Sequence, residues 1–234
     1  FGFRIISWFS VFSFVNGKFT DIAASHLIPN ESYIAIPKNL NLPRETIKKI
    51  NLYEYFRNDK DIFVANIKDY LIRAKKILGL GKTAELLNTS RKYLSDLICR
   101  NLPVSIIRFD SLISEAKLAM DFNEIKIKLK GSVHEYPSVL SIDKNLWRLI
   151  GIWIAEGDFN GYTVRIHNQN KEIREDIREI CRGYGFSISE MRTCITINSL
   201  FLQKVFRYVF GLQDGAENKR LPVISFILDK ESKS

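Results

Sequence analysis

The sequence predicts an α+β fold in which a small β region, a helical middle and a mixed C-terminal half-domain follow one another. Three observations carry that expectation. β-branched and aromatic residues dominate the opening around an Asn16-Gly17 hairpin signal, apolar spacing changes to a helical period from Asn66, and an apolar helix after Leu146 is followed by alternating, strand-like segments. With 234 residues, 46% of them hydrophobic and 26% charged, the chain can bury a sizeable core and is neither disordered nor fibrous.

The segment Phe1 to Val15 is apolar, yet Arg4 and several serines interrupt it and it is shorter than the roughly 20 residues of a membrane helix. It is therefore expected to be a buried strand, with no membrane partner. The numbered chain does not begin with Met and is expected to be a piece of something longer. Asn16-Gly17 marks a hairpin turn, and Tyr33-Ile34-Ala35-Ile36 before Pro37 reads as a further strand. Residues 37–61, polar and carrying Pro37 and Pro43, read as a linker with a boundary near Leu40. The expected domains are residues 1–40, β-rich; 41–120, helical; and 121–234, mixed.

From Asn66, Ile67, Leu71, Ala74 and Leu78 recur one helical turn apart until Gly79 to Gly81 break the period. A short helix over Thr83 to Leu87 follows. Ser90 is a good N-cap for a third helix through Cys99, with Leu94, Leu97 and Ile98 facing inward and Arg91, Lys92 and Ser95 outward. This is a helix-turn-helix layout, and basic and polar groups at the start of its last helix suit phosphates and base edges of the major groove. An ordinary three-helix packing unit has the same pattern. Beyond it, Ile125, Ile127 and Leu129 alternate with Lys126, Lys128 and Lys130, giving a strand with one basic face that could follow phosphates or simply protect a sheet edge.

The 35 Lys and Arg residues outnumber 26 Asp and Glu, for a formal charge of +9, which favours a polyanionic partner. Cys99, Cys181 and Cys194 are odd in number, far apart and free of any CxxC pattern. That excludes a disulfide framework and a zinc knuckle and points to a reducing, cytoplasmic setting.

The most informative run is LWRLIGIWIAEGDFNG, Leu146 to Gly161. Gly151 and Ala155 lie four apart on one face of an apolar helix, so another helix can approach closely there. Glu156 closes that helix. A carboxylate at such a terminus is costly to bury unless it is paired or metal-bound, and a twin from a second helix would complete a site for a hard divalent cation. A core helix ending in a glycine cap fits the same letters.

Residues Leu149 to Gly157, LIGIWIAEG, resemble the LAGLIDADG motif of homing endonucleases. The resemblance implies an αββαββα half-domain. Its parts fall as a strand within Tyr162 to Asn168, a helix from Lys171 to Gly183, strands within Ser187 to Asn198 and a helix from Leu200 to Gly211. It implies two motif helices packed through Gly151 and Ala155, with Glu156 and the Ala155 carbonyl as this chain's share of an Mg²⁺ or similar divalent site. GAENKRLPVI, Gly215 to Ile224, is similar to the family's basic stretch, which places Lys219 where a catalytic lysine stands; a surface charge is the other reading. The implied DNA-reading faces are Thr163-Arg165-His167 and Arg192-Cys194-Thr196-Asn198, of which Thr163, Arg165, His167, Arg192 and Thr196 are the candidate contacts. His167 is otherwise a surface residue, and Cys181 and Cys194 plain packing residues.

Asn16 to Leu40 resembles, more loosely, the later strands of an intein splicing domain at Ala24, Leu27 and Tyr33 to Leu40. No Cys or Ser nucleophile stands at the chain start, and Thr-x-x-His and a terminal His-Asn are missing, so self-splicing is not expected. A second motif helix is expected soon after Lys230, with Leu221 to Asp229 as the connector toward it, whereas the sequence stops at Ser234. The second repeat would come from a homodimer or a separate chain. The resulting expectation is sequence-specific binding of double-stranded DNA with metal-dependent phosphodiester hydrolysis, as a homing endonuclease or one half of one. The alternative is a non-cleaving DNA-binding protein or RNA-splicing helper of the same fold.

Overall fold

A computed structural model describes residues 10–15, 18–23, 26, 28, 48–215, 218–220 and 222. The chain divides into two compact units, Phe1–Pro43 and Arg44–Ser234. The first contains an antiparallel hairpin of β1 (Ser10–Val15) and β2 (Lys18–Ala23), whose register closes at Val15 opposite Lys18. The turn residues Asn16-Gly17, the strand expected at Tyr33 to Ile36 and the splicing-domain positions Ala24, Leu27 and Tyr33 to Leu40 lie outside the described residues.

The second unit is α+β throughout. Its first part corrects the expected linker, because β3 (Lys49–Asn51) and α1 (Leu52–Phe56) are folded inside residues 37–61 and bury Ile50, Leu52, Tyr53 and Phe56. Sequence pattern could not show this, since β3 is three residues long and its partner, β8 (Val139–Ser141), is far downstream. Next come β4 (Ile62–Ala65), α2 (Lys68–Leu86), α3 (Arg91–Cys99), β5 (Val104–Ser105) and α4 (Ile106–Ala116). α2 bends at Gly79, which takes φ 82°, a left-handed backbone that glycine adopts without a Cβ penalty. The break expected at Gly79 to Gly81 is therefore present: the non-helical backbone at Gly79, φ 82° and ψ 160°, divides Lys68–Leu86 into two helices.

Residues 41–120 were expected to be helical, yet they also carry sheet. β6 (Lys126–Leu129) joins β4, β5 and β7 (Glu135–Pro137) in the order β5-β4-β6-β7. The alternation that predicts β6 explains why: Ile125, Ile127 and Leu129 are buried, and β6 pairs with β4, against which α4 packs. The lysines of the other face are half-buried at 126 and 128 and exposed at 130.

After Asp143, whose carboxylate accepts the Leu146 N–H at 2.8 Å as an N-cap, the C-terminal elements run α5 (Lys144–Glu156), β9 (Gly157–Asn160), β10 (Thr163–Ile166), α6 (Lys171–Tyr184), β11 (Ile188–Glu190), β12 (Ile195–Ile197) and α7 (Leu200–Lys204). α7 continues as a π-helical turn over Val205–Val209. This is the αββαββα order. The four strands pair antiparallel in the order β11-β12-β10-β9. Val164, Ile166, Ile195 and Ile197 are buried on the helix side, so the opposite parity is left polar.

The two halves of this unit share one core. Phe201 of α7 stacks on Tyr136 at 3.7 Å and meets Phe56 edge-on, and the largely buried Lys204 ammonium donates to Asp59 at 2.5 Å. Among the described residues, no helix is long and apolar enough to cross a membrane.

Candidate functional site at the tip of helix α5

α5 is amphipathic: Leu146, Leu149, Ile150 and Trp153 are buried, whereas Arg148, Gly151, Ala155 and Glu156 are exposed. A Cβ built on Gly151 would meet no atom within 4 Å, so the Gly151–Ala155 ridge faces open space among the described residues. Arg148 on the same side pairs with Asp176 of α6.

The end of the helix is fixed by Trp153. Its ring is fully buried, stacks on Phe159 at 4.5 Å and donates its indole N–H to the Asp158 carbonyl at 3.2 Å. Gly157 is required there for a steric reason rather than a conformational one. Its φ of −96° suits any residue, but a Cβ would lie 2.2 Å from Trp153 Cδ1. Trp153 and Gly157 together therefore set where the chain leaves α5 and where Glu156 is carried. The Glu156 carbonyl accepts the His167 N–H at 2.9 Å, which ties that turn to β10, while no hydrogen bond or ion pair engages its carboxylate among the described residues.

Lys219 comes to the same place from the far end of the half-domain. Its ammonium donates to the Trp153 carbonyl at 3.4 Å and stands 5.2 Å from the Trp153 ring centre. Burial pulls it below the ordinary lysine value, and the nearby carboxylates of Glu156, Asp158 and Asp214 oppose that pull. Asp214 accepts the Phe159 N–H at 2.7 Å and pairs with Arg207 at 2.9 Å, and Arg207 in turn lies over the Phe159 ring.

On the polar face of the sheet, Arg165 makes a bidentate pair with Asp158, Nε to Oδ1 at 2.9 Å and Nη2 to Oδ2 at 3.0 Å. His167 Nε2 reaches the same Oδ2 at 2.8 Å. Partial burial works against the Asp158 charge, but the Arg165 and His167 hydrogen bonds outweigh it and hold the carboxyl below the usual aspartate value. Thr163 and Thr196 are half-buried on this face, and Arg192 is exposed in the β11–β12 loop rather than on a strand. Cys194, grouped with that face from its spacing, is buried. Asp158, Asp214 and Arg207 escaped sequence reasoning; only Asp158, two residues past Glu156, carried a positional signal, because its partners depend on the β9–β10 register.

In the helix-turn-helix segment the Ser90 hydroxyl caps α3 by accepting the Tyr93 N–H at 3.0 Å, and Leu94 and Leu97 are buried. Arg91, Lys92 and Ser95 are exposed, joined by Tyr93.

No protein-family model matches the chain. It is 25% identical over 238 residues to the DNA polymerase II large subunit of Thermococcus kodakarensis, an alignment covering 95% of this chain and 12% of that protein. It is 22% identical over 271 residues to a DNA polymerase of Pyrococcus horikoshii, covering 95% of this chain and 21% of that protein. The chain thus spans about an eighth and a fifth of the lengths of these curated relatives.

A hard divalent cation takes about six oxygen ligands. Among the described residues no three or more His, Cys, Asp or Glu side chains converge to hold a metal. The exposed, unengaged Glu156 carboxylate fits one share of such a ligand set, and Asp158, already held by Arg165 and His167, does not add a second. The three thiols are free; that of the buried Cys181 is pushed up to about 12 by burial, which leaves it unreactive as a nucleophile.

Proposed function

We propose that this chain binds double-stranded DNA in the manner of a LAGLIDADG homing endonuclease and supplies one half of a divalent-metal phosphodiesterase site. The second half comes from another copy or another repeat docked on the Gly151–Ala155 ridge. The observation that carries this reading is the tip of α5, where an exposed carboxylate that makes no hydrogen bond or ion pair among the described residues stands at the end of a helix whose small-residue face is bare. A carboxylate in that position is held by no hydrogen bond or ion pair of the described residues, and a glycine within the helix costs about 1 kcal/mol. Both become intelligible if a like helix packs there.

Further support comes from the αββαββα order and the net positive charge. Both relatives are named as DNA polymerases, and only a small fraction of each is matched. With the loose splicing-domain resemblance of residues 16–40, this proportion supports an intein-derived element carried within a longer protein of the reducing cytoplasm.

In this mechanism Glu156 and the Ala155 carbonyl would be this chain's ligands to a divalent cation such as Mg²⁺, which when bound would lower the pKa of a water and polarise the scissile phosphate. Lys219, kept partly dry against Trp153, places a fixed cation where charge develops on the phosphodiester. Thr163, Arg165, His167 and Thr196 present hydrogen-bonding groups from a pleated face that fits the major groove, with Arg192 at its edge. Arg91, Lys92 and Ser95 on α3 form a second contact region.

The test is binding of the purified chain to a long mixed-sequence duplex, followed by fluorescence anisotropy over a salt series, and then cutting of selected sites with and without Mg²⁺. Arg91→Ala with Lys92→Ala should reduce the slope of log affinity against log salt by about two. Glu156→Gln should abolish cutting and leave binding nearly unchanged. Salt-insensitive or undetectable binding refutes the reading. Binding without metal-dependent cutting selects the second reading, a non-cleaving DNA-binding protein or splicing helper.

A further inference from the structure

The paired strands bring one row of polar side chains across the sheet: Ser189 on β11 faces Thr196 on β12, Thr196 faces Arg165 on β10, and Arg165 faces Asp158 on β9. Arg165 sits inside this row, between neutral hydroxyls on one side and a carboxylate on the other. Its Nε and Nη2 are occupied by the two oxygens of Asp158, which fixes the plane of the guanidinium. A guanidinium has five N–H donors in a rigid fork. Two are spent on Asp158, and among the described residues nothing else engages the edge formed by Nη1 and the second N–H of Nη2, which leaves two parallel donors there.

We infer that Asp158 is a positioning residue that locks Arg165 as a reader of a single guanine, and that this pair sets the base preference at one position of the DNA site. The inference rests on the binding reading above, in which this face enters the major groove. Two parallel donors match the O6 and N7 acceptors that guanine shows there; adenine offers N7 beside a donor, and cytosine and thymine offer no pair of acceptors. Holding the fork before DNA arrives removes the rotamer entropy that a free arginine would lose on binding. His167 on Oδ2 helps to saturate the carboxylate, so that Asp158 is engaged rather than left as a free negative charge facing phosphates. An unpaired arginine, by contrast, could swing to phosphates and carry no base information.

The experiment selects binding sites from a random-sequence duplex pool with the full 234-residue chain in EDTA and compares Asp158→Asn, Arg165→Ala and the unaltered protein. The unaltered chain should show one position in each half-site it occupies where guanine is preferred about tenfold or more. Arg165→Ala should erase that preference at that position alone. Asp158→Asn keeps the side-chain shape and should weaken the same position severalfold, with any further change confined to the base that His167, the other group on Oδ2, contacts, while affinity for non-specific DNA holds or rises with the lost negative charge. A purely structural role for Asp158 would lower the melting temperature and degrade all positions together, which overturns the inference. So does an Asp158→Asn selection with the guanine position intact, or an Arg165→Ala selection in which no single position changes. Failure to select any sequence would instead sink the DNA-binding reading itself, and this inference with it.

Discussion

Gly151 supplies a test in which the isolated chain and the assembled state should respond in opposite directions. It lies inside α5, where a glycine costs about 1 kcal/mol relative to alanine because the unfolded backbone has more freedom to lose. A Cβ at this position would meet nothing within 4 Å, so Gly151→Ala should recover most of that amount with no steric charge against it. For a unit of this size, about 1 kcal/mol corresponds to a rise of about 2–4 °C in melting temperature, measurable by scanning calorimetry at low protein concentration. Gly151→Leu should likewise leave the dilute monomer at least as stable as the unaltered chain. Helices that touch through small residues cannot keep that spacing around a leucine, so this variant should lose self-association in sedimentation equilibrium and lose metal-dependent cutting of selected sites. If either substitution lowers the melting temperature, the ridge is covered by the chain's own residues and the docking argument fails. If both stabilise and neither changes assembly or cutting, the ridge is bare but is not the contact.

Gly157→Ala drives a methyl into Trp153 Cδ1 at 2.2 Å, so it should cost about 1–3 kcal/mol, seen as a lower denaturation midpoint, and should impair cutting by moving Glu156. Lys204→Met removes the cation facing the largely buried Asp59 and should destabilise by about 3 kcal/mol, whereas pairing it with Asp59→Asn should restore part of the loss. The Arg178 and Arg174 guanidinium groups hold the Glu190 carboxyl at about 2, below the ordinary glutamate value. Its folded value is depressed, so the stabilisation is present above the unfolded pKa and is lost as pH falls from about 4.5 towards 2. Glu190 and Arg178 are about a third exposed, which limits the contribution to about 1 kcal/mol; Glu190→Gln should flatten the acid limb of a melting-temperature profile by no more than that.

What could be read in the residues was what depends on neighbours in sequence. The helical period of α2 and α3, the Ser90 cap, the alternation of β6 and the spacing of Gly151, Ala155 and Glu156 are all local, and each is present. What escaped depends on register and long-range pairing: β3 needs β8, and β6 needs β4 across about sixty residues, so the middle segment turned out to contain a sheet. The same limit governs the candidate site. Lys219 was reachable through a resemblance, but its contact with the Trp153 ring was not, nor was the burial that lowers its basicity. Asp158 looked like the next letter of a motif, and the β9–β10 register alone makes it the partner of Arg165. That difference bears on mechanism. Two acidic residues in Glu156-Gly157-Asp158 read as a pair of metal ligands by spacing alone, but the glycine between them starts a strand that turns the second toward the sheet's polar face. The first stays exposed at the helix tip near the Lys219 ammonium, whereas the second is hydrogen-bonded to Arg165 and His167.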